Sequence, residues 1–162
     1  MAQSDLPALA VEALRRALAE AVADIDPAAM VAVSSPWRAP ENGLFLHLYD
    51  LEPWRDPAPK PQAPLRPAPS WRLRLLAGAF GPSDLAIHRL IGATTAQLLA
   101  QPVIAPEQLQ AAAVALGLAP EAAARRAHVR LQPLDIAAMT ALWQRFAPMR
   151  YSLSLGVEIS IP

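Results

Sequence analysis

The C-terminal stretch Tyr151-Ser-Leu-Ser-Leu-Gly-Val-Glu-Ile-Ser-Ile161 alternates without a break. Odd positions carry Tyr151, Leu153, Leu155, Val157, Ile159 and Ile161, while even positions carry Ser152, Ser154, Gly156, Glu158 and Ser160. Successive strand side chains point to opposite sides, so this reads as a strand with one apolar and one wet face. Burying the apolar set contributes roughly 9–18 kcal/mol gross, and a slip of one residue exposes all of it, which fixes the register. At about 3.3 Å per residue the stretch spans roughly 36 Å, about twice the usual strand. Such a strand is expected to outrun its own sheet and to offer its lateral edge to another chain.

Working outward from that strand, Asp135 caps a helix with the stripe Ile136, Met139, Trp143 and Phe146, which Pro148 stops. The short connection sets Trp143 against Leu153 and Leu155 in one core. His128-Val-Arg-Leu-Gln132 alternates and reads as a strand. Upstream, Pro106 and Gly117 bracket an Ala-rich helix, Pro120-Glu121 opens a short one, and Ser83 caps a helix running to about Leu99. Trp71 to Phe80 is a strand with Trp71, Leu73 and Leu75 on one face and Arg72 and Arg74 on the other. Gly43 to Tyr49 is apolar on both faces, as suits an interior strand. Between these two strands, from Pro53 to Pro69, prolines recur too densely for ladder or helix. That segment is expected to be an extended connector, poorly ordered over Arg55–Pro69, or an arm reaching a neighbour. Met30 to Ser34 reads as a short strand, and Leu6 to Ile25 as an amphipathic helix. The sum is one α+β domain over residues 1–162: a mostly antiparallel sheet with helices on one face.

The balance of 14 Lys plus Arg against 14 Asp plus Glu leaves no basic field to attract nucleic acid. A hydrophobic share of 54% with 17% charge argues that some surface is covered in an assembly, although much of that share is Ala. There is no Cys, so disulfides and thiolate chemistry are excluded. No secretory signal or membrane span is legible, which makes the cytoplasm the expected place of synthesis.

Candidate chemistry is sparse. His47, His88 and His128 have no ligand-like spacing, no serine has a G-x-S-x-G context, and no glycine run fits a phosphate loop. Asp50, Glu52 and Asp56 read as the solvated rim of a turn containing Arg55 rather than as a cation site. Arg72 and Arg74 read as a solvated or subunit-facing face, and Trp37 and Trp54 as interface candidates. No cofactor, metal or enzymatic activity is expected. The residues alone license a binding or structural module.

Asn42-Gly-Leu-Phe-Leu-His-Leu-Tyr49 followed by Glu52-Pro-Trp-Arg-Asp56 resembles a strand and exit loop in the N-terminal domain of cap proteins of extracellular contractile injection systems. Trp71-Arg-Leu-Arg-Leu-Leu76, Leu90-Ile-Gly92 with Leu98 and Pro102-Val103, and Leu142-Trp143, Pro148, Arg150, Ser152, Val157 and Ile159 resemble further pieces of that family, in order. Leu75 and Asp56 depart from it, standing where Tyr and Asn are expected. The resemblance implies a phage tail-terminator-like fold and a structural cap that forms a ring, a hexamer, and joins the tube and sheath proteins of one particle. It adds a site expectation: Trp54, Arg55, Ser152, Ser154, Gly156, Glu158 and Ser160 contact partners, the last strand by its edge. Two other readings stand beside it. One is a small ligand-binding or regulatory α+β domain with a pocket between sheet and helices; the other is a hydrolase using His47 or His128 with a carboxylate.

Overall fold

The computed structural model describes residues 5–54, 70–119 and 125–162. In chain order the elements are α1 (Leu6–Ala23), β1 (Met30–Val33), β2 (Gly43–Trp54), β3 (Ser70–Phe80), α2 (Asp84–Ala100), β4 (Val103–Ile104), α3 (Pro106–Ala115), β5 (Ala127–Gln132), α4 (Ile136–Gln144) and β6 (Ser154–Ile161). The expected helix start at Pro120 and the Arg55–Pro69 connector fall outside the described residues.

Several boundaries follow from local chemistry. Ser83 accepts the Ala86 N–H at the start of α2, and Asp135 accepts the Ala138 N–H at the start of α4. Gly117, at φ +68°, ends α3 in a conformation that side chains with a Cβ resist. Pro102 and Val103, matched by resemblance to the long helix, lie past its end: α2 stops at Ala100 and Val103 enters β4.

The six strands form one mixed sheet in the order β1-β2-β3-β6-β5-β4. Among the described residues only β1 and β2 pair in parallel; the other ladders are antiparallel. The α+β, mostly antiparallel expectation therefore stands. A bulge interrupts β2 between Leu48 and Asp50. Before it, Leu44, Leu46 and Leu48 share the face that packs on α1 to α3; after it, Leu51 takes that face and Asp50 and Glu52 turn away. Without the extra residue both carboxylates would point into the main core.

That core lies on one face. Leu9, Leu14 and Leu18 of α1, Leu90 and Leu98 of α2 and Leu109 of α3 cover Leu46, Leu73, Leu75, Val157 and Ile159. Complete burial of each Leu or Ile contributes about 1.5–3 kcal/mol. The expectation of helices on one face holds for α1 to α3. Helix α4 packs on the other face, where Trp143 and Phe146 join Phe45 and Leu76. The Trp143 ring meets Phe45 edge-on at 6.2 Å and Phe146 at 5.9 Å. Ile136, expected on the apolar stripe, is 87% exposed, so the covered stripe of α4 begins at Met139.

Candidate partner-binding surface

The last strand departs from its reading in three ways. It is eight residues long, because Tyr151 and Leu153 precede it and stay 55% and 38% exposed. It is interior: β3 pairs along its whole length and β5 along Gly156–Ser160, so the lateral edge expected to meet a partner is occupied within the chain. Its even face is largely not wet, since Ser152, Ser154 and Glu158 are buried. Trp143 is buried as expected, but against Phe45 and Leu76 on the opposite side of the sheet from Val157, and an exposed Leu153 does not join it.

Each even position has a partner inside the chain. The Ser152 hydroxyl donates to the Ala79 carbonyl, and the Ser154 hydroxyl donates to the Ser152 carbonyl at 2.8 Å. A Cβ on Gly156 would collide with the Gln132 carbonyl and approach Leu134 Cγ to 2.9 Å, so the close backbone that this glycine admits is β5 of the same chain. Ser160 is half-buried between Arg72 and His128 in the ladder. Trp54 ends β2 opposite Ser70, and Arg55 lies outside the described residues.

Glu158 centres a charge network that crosses four strands. Its carboxylate, 5% exposed, lies 2.7 Å from Arg130 Nη2, 3.7 Å from Arg72 Nε and 3.6 Å from Arg74 Nε. Arg72 also holds Glu52 at 2.9 Å, and Arg74 holds Asp50 at 2.6 Å. Three guanidinium groups thus face three carboxylates. A buried carboxylate is tolerated only with such pairing. Burial works against the charge on Arg74, but Glu52, the hydrogen-bonded Asp50 and Glu158 outweigh it and raise its pKa. Beside the network, burial pushes the Tyr49 phenol up, and its hydroxyl donates to Gln132 Oε1 at 3.4 Å. Both halves of this network stand in the sequence as Asp-x-Glu and Arg-x-Arg at the two-residue spacing of one strand face. The signal that joins them is the pairing of neighbouring strands, together with the β2 bulge.

The other candidates hold less. His47 packs edge-on against Phe146 at 5.1 Å, and burial lowers its pKa. A surface cleft of about 320 Å³ is lined by Leu134, Ile136, Met139, Thr140, Tyr151 and Ser154, a small volume for a ligand site. It lies beside α4 and not between the sheet and the three-helix layer. Among the described residues no group of three or more His, Asp or Glu is placed to hold a metal, and no helix is long and apolar enough to cross a membrane.

A mixed six-stranded sheet, with three helices on one face and a fourth on the other, is a tail-terminator type of α+β fold. In a cryo-EM structure of an extracellular contractile injection system, a chain described as the PVC sheath/tube terminator in the extended state shares it with a TM-score of 0.59 at 12% identity. The likeness covers 93% of this chain and 54% of that one, so this chain spans about half the length of the terminator. The chain belongs to the Pvc16 N-terminal domain family, whose profile matches residues 10–162. No curated protein matches it.

Proposed function

We propose that this chain is one terminator domain of a phage-tail-like contractile injection particle, and that it forms a sixfold ring ending and joining tube and sheath. The observation that carries the reading is the fold shared with a sheath/tube terminator over 93% of the chain. Family membership supports it, as does the ordered set of motifs from Asn42 to Ile159.

The mechanism is structural. A growing tube or sheath ends in unpaired strand edges and exposed apolar surface, and a ring of matching diameter pairs those edges and stops addition. In this reading the partners are the chain itself and the sheath and tube proteins, with no nucleic acid, membrane, cofactor or catalysis, and assembly takes place in the cytoplasm. Trp54, Arg55 and Ser160 remain proposed for partner contact. Ser152, Ser154, Gly156 and Glu158 act within the chain, holding β6 in the middle of the sheet.

The test withholds the chain from cells that make the particle and measures particle lengths by electron microscopy. Tubes and sheaths of irregular length, corrected by supplying the chain, are expected. An unchanged, uniform length distribution contradicts the reading.

A further inference from the structure

Neither outer strand of the sheet covers its neighbour fully. β1 pairs with Gly43–Leu46, and on that side no described residue pairs with β2 from Leu48 to Trp54. β4 pairs with Ala127 and His128 and Pro102 holds the Val129 N–H, and no described residue pairs with β5 from Arg130 to Gln132 on its outer side. The two open stretches lie level with each other. The register runs from Leu48 through Leu75 and Val157 to Leu131, and from Asp50 through Arg74 and Glu158 to Arg130.

Hydrogen bonds at the strand ends set which peptide groups face out. Leu46 accepts from the Ser34 N–H at 3.1 Å, so Leu46 and Leu48 turn their peptide groups toward the β1 side. The bulge shifts the alternation, and beyond it Leu51 and Pro53 face out. Proline has no N–H, and an outward position on an edge is where that omission costs no ladder bond. On β5, Val129 donates to the Pro102 carbonyl at 2.8 Å, so Val129 and Leu131 face out. Among the described residues, Leu51 and Leu131 therefore each present a peptide N–H and C=O at an open edge.

Direction and charge agree with a contact between these two edges. Three antiparallel ladders separate β2 from β5, so the two strands run in opposite directions. Copies in the same orientation, placed side by side, would bring β2 of one against β5 of the next as an antiparallel pair. With Leu51 opposite Leu131, Glu52 falls opposite Arg130 on the charged face, and the contact ends there, because Val129 and His128, next in register, already hold Pro102 and Val103. The Glu52 side chain is 39% exposed and that of Arg130 71%, so both have surface left beyond their contacts within the chain. On the helix-covered face the exposed Leu51 meets the half-buried Leu131.

We propose that the β2 edge around Leu51 adds antiparallel to the β5 edge around Leu131 of a second copy, so that the sheet continues from subunit to subunit. The contact is head to tail and can close into a ring. It rests on the proposed ring and names the surface that builds it.

The chain has no Cys, so disulfide trapping starts from a clean background. Two double variants are made, Leu51→Cys with Leu131→Cys and Glu52→Cys with Arg130→Cys. Antiparallel partners stand about 4.5–5.5 Å apart between Cα atoms, within reach of a disulfide. Each variant is checked for native melting and mass under reducing conditions, with and without sheath protein, and then oxidised. A ladder of linked multimers from a double variant, absent from its single variants, is the expected result. An intact oligomer that neither pair links overturns this contact and leaves the ring reading standing. Single variants that dimerise as well as the doubles overturn it in favour of a two-fold contact. A chain that stays monomeric with and without sheath protein overturns both.

Discussion

On one face of the sheet α1, α2 and α3 bury Leu46, Leu73, Leu75, Val157 and Ile159 in an apolar core. On the other, α4 covers the end around Phe45 and Leu76, and beyond it Asp50, Glu52, Arg72, Arg74 and Glu158 close the surface by pairing with one another. The first face is held by area removed from water, which needs no particular partner geometry. The second is held by matched charges, and its buried member, Glu158, is tolerable only while its partners stay in place. The difference teaches that β6, which supplies both faces, is a central structural strand. Among the described residues, what the sheet leaves open lies at its outer edges.

The largest expected effect tests whether the α4 end is a true core. Trp143→Ala should cost about 3–5 kcal/mol by denaturant unfolding, comparable with Leu75→Ala on the three-helix face at about 2–5 kcal/mol. If Trp143→Ala costs less than about 1 kcal/mol while Leu75→Ala costs the expected amount, α4 is an ornament and the comparison breaks.

A smaller effect belongs to the charged end. Glu158→Gln should cost about 1–3 kcal/mol, because Arg130, Arg72 and Arg74 lose their shared buried carboxylate while Asp50 and Glu52 still hold two of them. Thermal melts across a salt series check this. A variant as stable as the parent at every salt concentration would mean that the network contributes nothing to the fold.

The smallest effect is a pH dependence at the α4 end. Burial lowers the His47 pKa, so the folded state keeps the ring neutral where the unfolded chain, near pH 6.5, takes up a proton. Stability is therefore full above that value and falls as pH drops through it toward the lower folded pKa. His47→Asn should flatten the difference in melting temperature between pH 8 and pH 5.5. Glu12, whose pKa its hydrogen bond to Arg15 lowers, loses its contribution only in the more acidic window below the ordinary carboxylate value. An unchanged slope in the His47 variant would place that histidine in water.

Much of this arrangement was legible in the chain. Ser83, Asp135 and Gly117 mark helix ends by local hydrogen bonding and backbone freedom, and alternation places β3 and β5 to within a residue or two. The bulge in β2 was present in the letters, as leucines at 44, 46 and 48 give way to Leu51, but a parity change means little until β3 supplies the other side of the ladder. The even face of the last strand misled for a related reason. Small polar residues and one acid look solvated in a single strand, yet Ser152 bonds to Ala79, 73 residues away, and Glu158 draws guanidinium groups from β3 and β5. Which side α4 covers also depends on tertiary packing, because its stripe of Met139, Trp143 and Phe146 suits either face.

The most direct test of the proposed ring is native mass spectrometry of the chain alone and mixed with the sheath and tube proteins of the proposed particle. Cyclic oligomers of six copies are expected, at least when sheath or tube protein is present, with a buried area per contact above about 1,000 Å² in total. A chain that stays strictly monomeric and binds neither protein would contradict the account.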